Sequence, residues 1–240
     1  MSARLVALRI DALDPAASAR FWAELFDWPE PRVDGDGSAT LVPPDDTGFD
    51  LVFVAAATPK REKNQMHFDV TSESQEAQDQ QVAHALALGG RHIDVGQLPE
   101  ELHVVLADPE GDEFCVVEPG NSFLADCGRI GALSSDGTQA EGYFWAAALD
   151  WPLVWDQDEE TAVRSPAGGP KITWGGPPID ERHEPNRWRL ALEVEGAGAD
   201  ALRAETARLV ALGARVVDDS ASAPVLASPD GNLFHLSAGR

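Results

Sequence analysis

Short apolar runs rich in branched residues alternate along the chain with amphipathic stretches, and this pattern predicts a mixed α+β protein. Leu5 to Ile10 reads as a strand, and Asp14-Pro15 then caps a helix with proline at its first position. Ala16, Ala19, Phe21, Trp22 and Leu25 line one face of that helix, and Asp27-Trp28-Pro29 ends it. Polar turns at Asp34 to Gly37 and Pro43 to Asp46 set off two further strands, Ala39 to Val42 and Leu51 to Val54. The same order starts again at Met66. His67 to Val70 is a strand, and Ser74 to Leu88 a helix ended by Gly89-Gly90. His92 to Val95, Leu102 to Leu106 and Glu113 to Val117 follow as strands, with Asp108-Pro109-Glu110-Gly111 as the turn between the last two. The unit is a strand, a helix and two or three strands.

The pattern is also repeated at longer range. Phe21-Trp22 followed by Asp27-Trp28-Pro29 returns as Phe144-Trp145 followed by Asp150-Trp151-Pro152, about 120 residues further on. Leu88-Gly89-Gly90-Arg91 returns as Leu212-Gly213-Ala214-Arg215, and Asp108-Pro109-Glu110-Gly111 with Phe114 as Ser228-Pro229-Asp230-Gly231 with Phe234. Matches in the same order at nearly the same offset predict two homologous halves, 1–120 and 127–240, joined by Pro119 to Cys127. Each half then holds two copies of the smaller unit.

Charge changes the picture of what such a protein meets. The 240 residues carry a formal net charge of −23, and no basic stripe offsets it, so nucleic acid and anionic membrane surfaces are excluded as partners. Hydrophobic residues at 43% and charged residues at 25% are ordinary globular usage, which leaves the acidity as a solvation feature of helix faces and turns such as Asp34 to Asp36 and Asp156 to Glu160. Cys115 and Cys127 are too few for a disulfide framework and lack zinc spacing. Arg9 and Asp11 interrupt the N-terminal apolar run too early for a signal peptide, and no stretch is long enough to span a membrane. The expectation is a soluble cytoplasmic protein. No Gly-x-Ser-x-Gly, Walker A, Gly-x-Gly-x-x-Gly or His-Glu-x-x-His motif is present, and the string Asp156, Asp158, Glu159, Glu160 lacks the glycine of a calcium-binding loop.

Asp14-Pro15 with Phe21-Trp22, Met66-His67-Phe68-Asp69-Val70, Leu88-Gly89-Gly90 and Asp108 to Val116 together resemble the vicinal oxygen chelate superfamily of glyoxalase I, extradiol dioxygenases and bleomycin resistance proteins. The nearest likeness is to the glyoxalase-like branch common in actinobacteria, which carries such domains in tandem. The resemblance implies four βαβββ modules, paired so that curled mixed sheets enclose clefts. It also implies a divalent metal held by His and Glu side chains on the first and last strands of paired modules, with open positions for two substrate oxygens.

Placed on this chain, the first-strand ligand positions fall at Ala7, His67, near Ile130 and near Arg189, and the last-strand positions near Leu51, at Cys115, near Thr173 and at His235. His67, Cys115 and His235 are the metal candidates, and with either module pairing no cleft collects three good ligands. Crossed pairing would join His67 with Ile130 and His235 with Ala7. The reading is therefore a protein without a complete metal site and without a required cofactor, a divalent metal being the alternative. Trp155, Trp174 and Trp188 lie on strands of the second half and, on a concave face, would wall an aromatic or polycyclic ligand, with Arg189 meeting a carboxylate or phosphate. His67, Trp155, Trp174, Trp188, Arg189 and His235 are the candidate ligand-binding residues. His84, His92, His103 and His183 carry no spacing argument. Function is expected to be small-molecule binding; the alternatives are a metal-dependent lyase, isomerase or dioxygenase, and a regulatory or partner-binding domain. Two fused halves can complete their own clefts, so a monomer is expected.

Overall fold

The computed structural model describes residues 3–98, 100–219 and 223–239. The first module comprises β1 (Ala3–Ala12), α1 (Pro15–Phe26), β2 (Arg32–Val33), β3 (Ala39–Leu41) and β4 (Asp50–Ala55). The second comprises β5 (Met66–Val70), α2 (Gln75–Ala87), β6 (Arg91–His92), β7 (Val104–Ala107) and β8 (Glu113–Val116). In the second half β9 (Ile130–Ser135), α3 (Gln139–Leu149), β10 (Leu153–Gln157), β11 (Glu160–Arg164) and β12 (Lys171–Trp174) form the third module. The fourth is β13 (Trp188–Val194), α4 (Ala199–Ala211), β14 (Arg215–Asp218), β15 (Val225–Ala227) and β16 (Leu233–Ala238).

The sheets do not follow the halves. One has eight strands in the order β14-β15-β16-β13-β1-β4-β3-β2, and the other the order β10-β11-β12-β9-β5-β8-β7-β6. Module one therefore pairs with module four through antiparallel β1 and β13, and module two with module three through β5 and β9. We call these the outer-module and inner-module sheets. Each half is split between both.

Helices cover one face of each sheet, and alternation along the strands decides which side chains go there. On β5, Met66, Phe68 and Val70 are buried while His67 and Asp69 are partly exposed; on β13, Trp188, Leu190 and Leu192 are buried while Arg189 and Ala191 are not. The helix-side core is continuous between the sheets: Trp188 of one packs on Phe68 of the other with ring centroids 4.8 Å apart, and Trp22 of α1 reaches both at 6.1 and 5.3 Å.

The repeated turns add a second tie. Glu110, in the turn before β8, accepts the backbone N–H groups of Leu13 and Asp14 at the start of α1, at 2.7 and 2.8 Å. Asp230, at the matching position before β16, accepts from the Thr138 N–H and hydroxyl at the start of α3. These acids satisfy orphan donors at a helix N-terminus, where negative charge is also favourable. So the Pro-acid-Gly motif clips together the modules of one half, while the strands pair across halves.

Each half also binds the indole N–H of its buried helix tryptophan with a carboxylate, from different places. Trp22 Nε1 donates to Asp108 in the turn at 3.2 Å, and Trp145 Nε1 to Glu141 on its own helix at 3.0 Å. Ser228 stands at the turn position in the second half, and buried Ser18 stands where the first half's helix would carry the acid. The exchange keeps a buried donor paired. Beside it, Gly142 of α3 lets the helix press on the sheet: a Cβ there would lie 2.0 Å from Thr161 Oγ1 and 3.1 Å from the Trp174 ring.

The join predicted at Pro119 to Cys127 folds onto the open face of the inner-module sheet. Leu124 packs there with Val105, Cys115, Val117 and Ala132, and Phe123 beside them. Asp158 and Glu159 of the acidic string take left-handed conformations, φ 54° and 66°, in the turn between β10 and β11. That is hairpin geometry. No helix among the described residues is long and apolar enough to cross a membrane.

Candidate functional sites on two concave faces

On the inner-module sheet, register alone assembles a line of side chains. Trp155 pairs with Ala162, Ala162 with Thr173, Thr173 with Ser134 and Ser134 with His67, so all five project from the face opposite the helices. One step along, Asp69 pairs with Cys115 and Cys115 with Val105. His67 Nε2 lies 3.4 Å from Asp69 Oδ1, and the Ser134 hydroxyl donates to Asp69 Oδ2 at 2.5 Å. The Thr173 hydroxyl continues the network to Ser134 at 3.2 Å.

Ligand atoms of His67, Asp69 and Cys115 all lie within 4.8 Å of one another. Sequence reasoning found the histidine and the thiol but not Asp69. The signal was present, because His67 and Asp69 are two residues apart on a strand and share a face. Burial opposes the imidazolium, but the hydrogen bonds to Asp69 and Cys115 outweigh it and push His67 up to about 10. Burial would raise Asp69, yet the bonds from His67 and Ser134 hold it below the usual carboxylate range. Burial pushes the Cys115 thiol up, against the effect of His67. At neutral pH the group is an imidazolium-carboxylate pair beside a protonated thiol.

The aromatic end of the line is built by the join. Phe123 meets Trp155 edge to face with centroids 5.7 Å apart, and Lys171 lies over the Phe123 ring while donating to its carbonyl. The Trp155 indole Nε1 is buried and has no partner among the described residues.

The outer-module sheet presents different chemistry. Arg9 of β1 and Arg189 of β13 stand directly opposite each other, and Val52 pairs with Arg9 on its other side. Arg189 forks onto Asp11 through two hydrogen bonds of 2.9 and 2.6 Å, both side chains more than four-fifths buried. His235 pairs with Ala191, and Ala191 with Ala7, in the neighbouring row. Burial and then the Arg9 and Arg189 charges push His235 down to about 4. Burial and the charge of Arg189 likewise lower Arg9, partly offset by Asp11 and Asp36. Two guanidinium groups make this face unfit for a divalent cation.

The structure thus divides the predicted site residues. His67 and Trp155 share one concave face, and Arg189 and His235 the other. Trp174 and Trp188 share neither: both are 1% exposed on the helix side, where alternation sends them while Thr173 and Arg189 take the concave side. Two ligand positions also move, Leu51 by the same alternation and Ile130 because the register of β9 against β5 shifts between Ala132 and Ile130. Ile130 and Leu51 are core residues, and Ser134 with Ala132, and Asp50 with Val52, occupy the concave positions instead. The module pairing left open by the sequence is the crossed one, with Ser134 rather than Ile130 opposite His67.

A family model described as a glyoxalase-like domain matches residues 7–117 and again 132–237. No curated protein matches the sequence. Among solved structures, glyoxalase I from Zea mays superposes with a TM-score of 0.65 at 13% identity, covering 99% of this chain and 92% of that one. A putative dioxygenase from Bacillus subtilis gives 0.58 at 15% identity, over 99% and 85%. At these identities the likeness is one of fold.

Proposed function

Because the chain belongs to the glyoxalase-like family of the vicinal oxygen chelate superfamily, we propose that it binds a small aromatic or polycyclic molecule on the concave face of its inner-module sheet. The line from Trp155 through Thr173 and Ser134 to His67 carries this reading: an aromatic wall at one end, a charged hydrogen-bonding pair at the other, and apolar Ala162 between. The unpartnered Trp155 indole N–H gives a ligand acceptor a place to bind. His67, fixed by Asp69, supplies the polar anchor. A thermal-shift screen of aromatic metabolites and antibiotics tests this: a hit should be lost in Trp155→Ala and weakened in His67→Gln. Binding unchanged in both variants would overturn it.

A second reading, a divalent-metal-dependent lyase, isomerase or dioxygenase, is favoured by the approach of His67, Asp69 and Cys115. These residues would hold the metal, and imidazole, carboxylate and thiolate suit zinc or a similar borderline ion that polarises a substrate oxygen. The metal must displace protons from His67 and Cys115, so its binding would strengthen as pH rises. Near-stoichiometric metal in protein purified without chelator, lost in His67→Ala, would establish this reading over the first.

A further inference from the structure

We propose that the concave face of the outer-module sheet is a separate binding site for a monocarboxylic acid with an apolar body, its carboxylate seated between Arg9, Arg189 and His235.

Like charges directly opposite on neighbouring strands are destabilising, yet Arg9 and Arg189 occupy such a pair and share one nearby carboxylate, which Arg189 takes with both terminal nitrogens. No ion pair within 4.0 Å holds Arg9 among the described residues, and its Nε, the Arg189 Nε and the His235 Nε2 are all buried without partners. Unpaired buried polar groups are costly, and two guanidinium Nε donors and an imidazole nitrogen left so on one sheet face are open to an acceptor. His235, neutral at physiological pH, offers a hydrogen bond without adding charge.

The charges around these groups select the class of ligand. Asp11 neutralises Arg189, which leaves Arg9 as one free cation. Asp36 acts on Arg9 from the β2–β3 turn, and Asp50 lies in the same row as Ala7. Further along the face Arg4 is paired with Glu193, and Arg32 with Asp34. One free positive charge ringed by carboxylates suits a monoanion and disfavours a phosphate dianion. Around the guanidinium groups the face is small and apolar, with Ala7, Ala191, Val52 and Val54. A depression of about 450 Å³ adjoins it at Ala7, with Val6 and Phe49 in its wall and Arg4, Asp45, Asp50 and Glu193 also lining it, and leaves room for the acid's body.

The test uses the full chain, with benzoate as probe, benzamide as its uncharged counterpart, inorganic phosphate as the competing oxyanion, and amide chemical shifts as readout. Benzoate should give saturable shifts at Ala7, Arg9, Val52, Ala191 and His235 that benzamide does not. Arg9→Met should weaken benzoate by about tenfold or more, as expected for losing a charged hydrogen-bond partner, without lowering the melting temperature. Arg203→Met, which removes an exposed charge on α4, should change nothing. Absence of saturable benzoate binding, equal binding of benzamide, shifts confined to the His67 face, or unchanged affinity in Arg9→Met would each overturn the site. Preference for phosphate would overturn its assignment to a monocarboxylate. Because the wild-type shifts stand without any variant, a poorly folding Arg9→Met would leave the proposal open to refutation, and Trp155→Ala separates it from the aromatic site.

Discussion

The two concave faces occupy equivalent places in two sheets built from the same module, and they shift a histidine in opposite directions. At the first-strand position one has His67 and the other Arg189; at the last-strand position one has Cys115 and the other His235. The first histidine is pulled towards its cationic form by Asp69, and the second is driven neutral by burial and two arginines. The two histidines stand at different positions, one on a first strand and one on a last strand, and strand position does not by itself set the charge of either. What stands beside it on the same face does, and register decides that.

The largest effect should come from testing where the faces end. Trp188 adjoins Arg189 in sequence but lies on the core side, so Trp188→Ala should cost about 3–5 kcal/mol in urea unfolding, as for large-to-small changes in a packed interior. A cost under ~1 kcal/mol would place Trp188 outside the core and undo the division of strand faces.

The paired arginines should differ nearly as much. Removing Arg189 strands Asp11 on a mostly buried face, and Arg189→Met should cost about 3 kcal/mol, the range for breaking a buried pair at one end. Arg9→Met removes a repelling charge with no partner and should change stability by about 0.5 kcal/mol or less, or raise it. Equal costs for the two would contradict the assignment of Asp11 to Arg189 alone.

Trp155 gives a smaller effect, because it is half-buried and its main neighbour is Phe123. Trp155→Ala should cost about 1 kcal/mol, the scale of an edge-to-face pair, while removing the proposed aromatic wall. A loss as large as that for Trp188 would make Trp155 a core residue.

Much of this was legible in the sequence, and the gaps have physical causes. The repeated Phe-Trp, Leu-Gly and Pro-acid-Gly segments exposed the two halves and their modules because each marks a helix face, a helix end or a turn. Crossed pairing was not legible: four similar modules can close β1 on β5 or on β13, and the choice rests on packing such as Trp188 on Phe68. Strand parity was the finer loss. A shift of one residue exchanges the two faces of a strand, which is why Trp174 and Trp188 read as cleft residues, whereas Ile130 leaves the face of Ser134 and Ala132 through a register shift in β9 that strict alternation does not show. Asp69 was visible through its spacing from His67, but the superfamily pattern directed attention to last-strand carboxylates.

The histidines provide the finest test of the comparison, because their linkages to stability have opposite signs. His67 binds its proton more tightly folded than unfolded, so its contribution is complete below its ordinary value of 6.5 and is lost as pH rises towards about 10. His235 binds its proton less tightly folded, so its contribution is complete above 6.5 and is lost as pH falls towards about 4. Asp69, held low, adds to the acid side as pH falls below its ordinary value of 3.8. In chelator-treated protein, neither imidazole should titrate by NMR near pH 7. His67→Gln should flatten the alkaline flank of the stability profile, and His235→Gln the upper part of the acid flank. Asp69→Asn should bring the His67 midpoint down by about 1–3 units, the usual effect of removing an adjacent opposite charge, and leave His235 unmoved. Two histidines titrating together near their ordinary value would mean that the faces share one electrostatic environment, and the contrast between them would fail.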